Sequence, residues 1–212
     1  MPIFREKSDL FRLLYSLYYF NTEQSMPENW MRDVIKEGGP HTLVWPSIWE
    51  PRVPIVSILA FTIAPNHFHL LLKEVTEKGV SKFMHRISMG YSKFINEKYD
   101  ESGSLFQGRY KSRRIDNDED FRNLAVYIMI KNPFELYRGG LKNACREFDQ
   151  AYVQTLQNPL TSLGEYTGNS NFGILDHDLL HELSEEPRLF KEFACDCMQH
   201  RLEQLTDYDF NL

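Results

Sequence analysis

The stretch that most limits how this chain folds is IVSILAFTIAPNHFHLLLKE, residues 55–74. Residues 55–65 are dense in β-branched and aromatic side chains, the composition of a buried strand. Pro65-Asn66 is turn chemistry, and HFHLLLKE follows at once, so the two runs are expected to close an antiparallel hairpin. Side chains alternate across a strand, which puts His67 and His69 on one face and Phe68 on the other. Their Cβ atoms then lie about 6–7 Å apart, within reach of one divalent ion. The same pair serves equally well as ordinary polar residues at a strand mouth, and the strand alone leaves both readings open.

Helices are expected on both sides of the hairpin. Leu10, Leu13, Leu14, Leu17 and Tyr18 recur at helical spacing within residues 8–22, and a shorter helix over 25–39 ends at Gly38-Gly39. The proline-rich connection GGPHTLVWPSIWEPRVP reads as irregular. After the hairpin, residues 80–100 place Phe83, Ile87, Tyr91, Phe94 and Ile95 on one helical face, with Ser81 as a candidate cap. A further helix over 116–133 opens on DNDED, whose acids suit a helix N-terminus, and stops at Pro133. The remainder reads as short helices joined by loops. The expected class is α+β.

The net charge of -6 is unevenly spread. Residues 70–115 hold ten Lys/Arg against five Asp/Glu, whereas residues 145–212 hold four against thirteen. That asymmetry divides the chain into a unit over 1–142 and an acidic helical extension over 143–212. In GSLFQGRYKSRRI, Phe106 and Tyr110 interleave with Arg109, Lys111, Arg113 and Arg114, a mixture that suits stacking on bases and pairing with phosphates. Lys82, Arg86 and Lys93 add charge to the preceding helix. The bland alternative is an amphipathic edge strand with a charged outer face.

Three cysteines without framework spacing, no apolar run of the roughly 18 residues that span a bilayer, and no apolar leader core point to a cytoplasmic protein, nucleoid-associated if bound to DNA. Tyr127 stands in the apolar run LAVYIMI. It is either a core tyrosine with its hydroxyl at the surface or a nucleophile, since a phenol attacks a phosphodiester when a metal steadies the charge on phosphate.

APNHFHLLLKE, FMHRISMGYSKFINEKY, GSLFQGRYKSRRI and YIMIKNPFELYRGGL, in this order, resemble the single-tyrosine HUH transposases, including the branch of REP-associated tyrosine transposases. The resemblance covers about residues 55–142. It implies a ferredoxin-like antiparallel sheet with packed helices, and cleavage and rejoining of single-stranded or hairpin DNA through a 5′-phosphotyrosine. It further implies Mg²⁺ or Mn²⁺ as cofactor, and many members of that family work as homodimers. By the same resemblance Tyr127 is the nucleophile and His67, His69 and Asn132 are the metal ligands. DNA falls to Lys82, Arg86, Lys93, Arg109, Tyr110, Lys111, Arg113 and Arg114.

Two departures stand out. The family places Gln or Asn four residues after the tyrosine, but here that position is Lys131 and the asparagine is Asn132. One extra residue turns a side chain by about 100° on a regular helix. Relatives also begin with a strand of the type YHVxxRG, where this sequence reads MPIFREKSDLF. Residues 40–56 or a partner chain are expected to fill that place in the sheet. A domesticated, catalytically impaired nucleic-acid-binding relative is the alternative reading.

Overall fold

A computed structural model describes residues 4–38, 43–183 and 186–209. The architecture is α+β, with a two-stranded antiparallel sheet and helices packed on both faces. Strand β1 (Val56–Ala64) is buried throughout, while β2 (His67–Glu74) is buried only at Leu71. They pair through the turn at 65–66 with Ala64 opposite His67 and Thr62 opposite His69.

Helix α1 (Lys7–Tyr19) precedes the hairpin, and α3 (Gly79–Tyr99) follows it; α2 (Trp30–Gly38) lies between α1 and β1 in sequence. Asp9 closes the start of α1 by accepting from the Arg5 and Glu6 amides at 2.9 and 3.0 Å. Just beyond α1, the buried Asn21 clamps the entry to β1. Its Oδ1 accepts from the Ile55 and Val56 amides, and its Nδ2 donates to the Val56 carbonyl. α3 starts two residues ahead of Ser81, with Lys78 as its cap residue, so Ser81 is not the cap. The start of α3 runs so close to the strand that a Cβ on Gly79 would sit 2.2 Å from the Ile55 carbonyl oxygen. Only glycine fits there.

Beyond α3, residues 101–116 form neither helix nor strand, so the edge-strand reading of the basic segment does not hold. Helix α4 (Asp118–Val126) is capped by Asn117, which accepts from the Asp120 amide at 2.8 Å. It continues directly into a π-helical turn (Tyr127–Lys131) and the short α5 (Asn132–Glu135). The remaining helices are α6 (Gly140–Arg146), α7 (Phe148–Leu156), α8 (Leu163–Tyr166), α9 (His177–Leu183) and α10 (Pro187–Asp209).

The place beside β1 is taken by the acidic segment; of the stretch 40–56 expected there, residues 40–42 lie outside the described residues and 43–55 form no strand. Ile63 donates to the Leu160 carbonyl at 2.8 Å, and the Ser162 amide donates to the Phe61 carbonyl at 3.0 Å. The Ser162 hydroxyl accepts from the Phe61 amide at 2.9 Å, and the Asp176 amide donates to the Ile58 carbonyl at 2.9 Å. An open strand edge is a row of unpaired donors and acceptors. Here single residues satisfy that row in place of a third strand. Ala151, Leu163, Phe190, Ala194 and Met198 join the same hydrophobic cluster as β1, α1 and α3.

Candidate active site

The hairpin presents its two faces to different partners. On one, Phe68 meets Phe106 of the basic segment at 6.0 Å between ring centroids, and Phe106 meets Tyr91 of α3 at 6.4 Å. On the other, His67 and His69 stand edge to face at 5.0 Å, and His69 meets Tyr127 at 5.6 Å. The strand alternation read from the sequence thus brings the two imidazoles and the tyrosine ring together. Tyr91 is fully buried against Phe4 and Phe94, and burial pushes its hydroxyl pKa up.

The π turn resolves the one-residue offset of Asn132. The Asn132 amide donates to the Tyr127 carbonyl, five residues back. The extra residue is absorbed in the wider turn, so Asn132 stacks over Tyr127 rather than pointing about 100° away. Two residues account for the turn. Pro133 has no N–H, and its ring would clash with a carbonyl four residues earlier in an α-helix. The Thr62 hydroxyl, in register with His69, donates to the Ile128 carbonyl, which Pro133 cannot serve. Thr62 therefore pins the turn to the hairpin directly under the histidines.

Asn132 is 3% exposed, and its Nδ2 has no hydrogen-bond partner among the described residues. Buried amide groups are nearly always paired, so this one has an unfilled demand at the site. His67 Nδ1 lies 2.7 Å from Asn66 Oδ1. An amide oxygen only accepts, so Nδ1 donates to it, and Nε2 is the ring nitrogen left for another partner. The His69 pKa is lowered, first by burial and then by His67 and Lys131, with Glu135 opposing. The lowering favours the neutral ring. Lys131 lies 4.8 Å over the Tyr127 ring and 2.5 Å from Glu135 Oε1. The sequence reasoning did not single out Asn66, Thr62 or Glu135. Glu135 was within reach of it, since it stands four residues after Lys131 on the helix carrying Tyr127.

The cations proposed to meet DNA divide into free and committed ones. Arg109 and Lys111 are exposed and carry no ion pair or hydrogen bond among the described residues. Arg113 pairs with Asp120 at 2.9 Å, Arg114 with Asp116 at 2.7 Å, and Lys93 with Glu97 at 3.6 Å. Arg86 donates to the Thr22 and Glu23 carbonyls and Lys82 donates to Glu23, so both are tied to the loop after α1. Tyr110 is 42% exposed, with its hydroxyl 3.0 Å from that of Ser81.

Residues 55–131 match the model of a family described as IS200-like transposases. Over that segment the chain is similar to the IS200-like transposases. The matched segment runs from the start of the hairpin to Lys131, through both histidines, the basic segment and Tyr127. No curated protein and no solved structure matches the chain. The members of that family are transposases, proteins that process DNA. No described helix is long and apolar enough to cross a membrane.

Proposed function

We propose that the protein cleaves and rejoins single-stranded or hairpin DNA through a covalent 5′-phosphotyrosine at Tyr127. The observation that carries this reading is the placement of Tyr127, His67, His69 and Asn132 at one site, made possible by the π turn.

His67, His69 and Asn132 are the residues that would hold the metal. Two imidazole nitrogens and the amide oxygen of Asn132 are donor types that a divalent ion accepts. Bound there, Mg²⁺ or Mn²⁺ supplies Lewis-acid stabilisation of the charge building on the phosphate oxygens.

The chain's own groups do the rest. The Tyr127 oxygen attacks phosphorus, an O–P bond forms, and the bond from phosphorus to the 3′ oxygen breaks. The proton lost by the phenol balances the one gained by the leaving 3′ hydroxyl. Attack by that hydroxyl on the phosphotyrosine reverses the step and rejoins the strand. Lys131, held against the ring by Glu135, brings positive charge to the scissile phosphate. Arg109, Tyr110 and Lys111 track the incoming strand, with Arg113, Arg114, Lys82, Arg86 and Lys93 behind them.

The test is incubation of the protein with a radiolabelled single-stranded hairpin oligonucleotide and Mn²⁺, followed by denaturing electrophoresis. A covalent adduct with the wild type and none with Tyr127→Phe supports the reading. Salt-sensitive DNA binding without an adduct under any divalent metal assigns the chain to the catalytically impaired, DNA-binding alternative.

A further inference from the structure

We propose that the cavity between the β1–β2 turn and α5 is a pocket for one unstacked nucleobase bearing an exocyclic amino group. That the base belongs to the strand held at Tyr127 rests on the function proposed above; the pocket itself does not.

The cavity measures about 440 Å³ and is lined by Ala64, Pro65, Asn66 and His67 on the hairpin side and by Asn132, Glu135 and Leu136 on the other. That volume lies within the roughly 300–1,000 Å³ of small-ligand sites. Most of its wall is apolar. Leu136 is 54% exposed, and Pro65 is also exposed at the turn, so two apolar surfaces stand open to water with nothing stacked on them. Flat aromatic ligands are held by such walls, and enzymes acting on nucleic acid read an extruded base by stacking together with hydrogen bonds to its edge.

The polar groups specify which edge. Asn132 and Glu135 are three residues apart on α5, hence on one helix face. Asn132 Nδ2 is a buried donor without a partner. Glu135 uses Oε1 for Lys131, and as a carboxylate it only accepts. A donor beside an acceptor is complementary to a ring nitrogen beside an amino group, the pattern on cytosine and on adenine. Thymine offers the carboxylate only N3–H, which lies between two carbonyl oxygens that repel it, so it is held there more weakly than an amino group. His67 lines the same cavity, so a base seated there adjoins the site of the phosphate.

The test is an NMR titration of the full chain, labelled at leucine methyls and side-chain amides, with dCMP, dTMP and inorganic phosphate in separate arms. Saturable shifts of the Leu136 methyls and the Asn132 amide with dCMP, at least five-fold tighter than with dTMP, are expected. Phosphate alone leaves those signals unmoved. Glu135→Gln, with its spectral dispersion intact, brings the dCMP affinity down to that of dTMP, whereas Leu136→Ala weakens both alike. Equal binding of the two nucleotides, movement with phosphate alone, or no movement overturns the pocket. A Tyr127 adduct formed by a protein without these shifts also overturns it and leaves strand cleavage standing. The shifts in a protein that forms no adduct support the pocket and remove only the strand-transfer reading.

Discussion

The Asn132 amide donates to the Tyr127 carbonyl five residues back, so the two residues sit one above the other on a π turn. The buried Asn132 Nδ2 makes no hydrogen bond among the described residues. Asn132→Ala therefore deletes an unsatisfied donor, and its melting temperature should stay within the equivalent of ~1 kcal/mol of the wild type. Adduct formation, by contrast, should fall roughly 10–100-fold, the scale set by losing a group that serves the metal. Calorimetry and the adduct assay on one preparation check both halves. A large loss of stability with an unchanged adduct rate would make Asn132 a purely structural residue.

Thr62 is the residue that holds this arrangement to the strand. Its hydroxyl donates to the Ile128 carbonyl and lies 3.4 Å from that of Thr161. Thr62→Val keeps the shape and leaves the buried carbonyl unpaired, which should cost about 1–3 kcal/mol. It should also slow the adduct by freeing the π turn, and Thr62→Ser should recover most of the rate. Unaltered kinetics in Thr62→Val would show that the turn holds its register without this bond.

The basic segment makes a graded prediction. Each phosphate contact contributes about 0.7 to the slope of log affinity against log salt for single strands. Arg109→Ala and Lys111→Ala should each reduce the slope by close to that amount, because these cations have no internal partner among the described residues. Arg113→Ala should reduce it less, because Asp120 already occupies the guanidinium. Fluorescence anisotropy over a salt series measures all three. A larger effect at Arg113 than at Arg109 would mean that the ion pair opens on DNA.

What the sequence made legible follows from the range of the forces involved. The hairpin could be read because a two-residue period, a turn dipeptide and a Thr/Val/Ile-rich run are all local. The pairing of His67 with His69 followed from alternation alone. The π turn was not legible, because it depends on Pro133 acting together with Thr62, which lies 66 positions from Ile128. The covering of β1 by Leu160, Ser162 and Asp176 was equally hidden. These residues supply single hydrogen bonds from a segment without strand periodicity, so no pattern announces them. The basic composition of residues 101–116 was plain, yet its division into free and paired cations is a matter of distances to acids elsewhere.

That covering segment carries its own pH dependence. Glu165 is 1% exposed; its Oε1 accepts from the Ile174 and Leu175 amides at 2.8 and 3.1 Å, while its Oε2 has no partner among the described residues. His177 Nε2 is 3.6 Å from Oε1. Burial pushes the carboxyl pKa above its ordinary 4.5, against the lowering effect of the two amides and His177. Between 4.5 and that raised value the folded chain keeps a proton that the unfolded chain has released, so stability falls as pH rises through the window and stays lower above it. Glu165→Gln keeps an oxygen for the two amides and has no proton to lose. It should match the wild type near pH 4 and melt higher at pH 8, on the scale of ~2–4 °C for each kcal/mol recovered in a chain of this size. Asp176 follows directly after the two amides and bonds β1, so the same variant should slow hydrogen exchange at the Asp176 amide at pH 8. An equal melting difference at both pH values would trace the effect to packing and not to the buried charge.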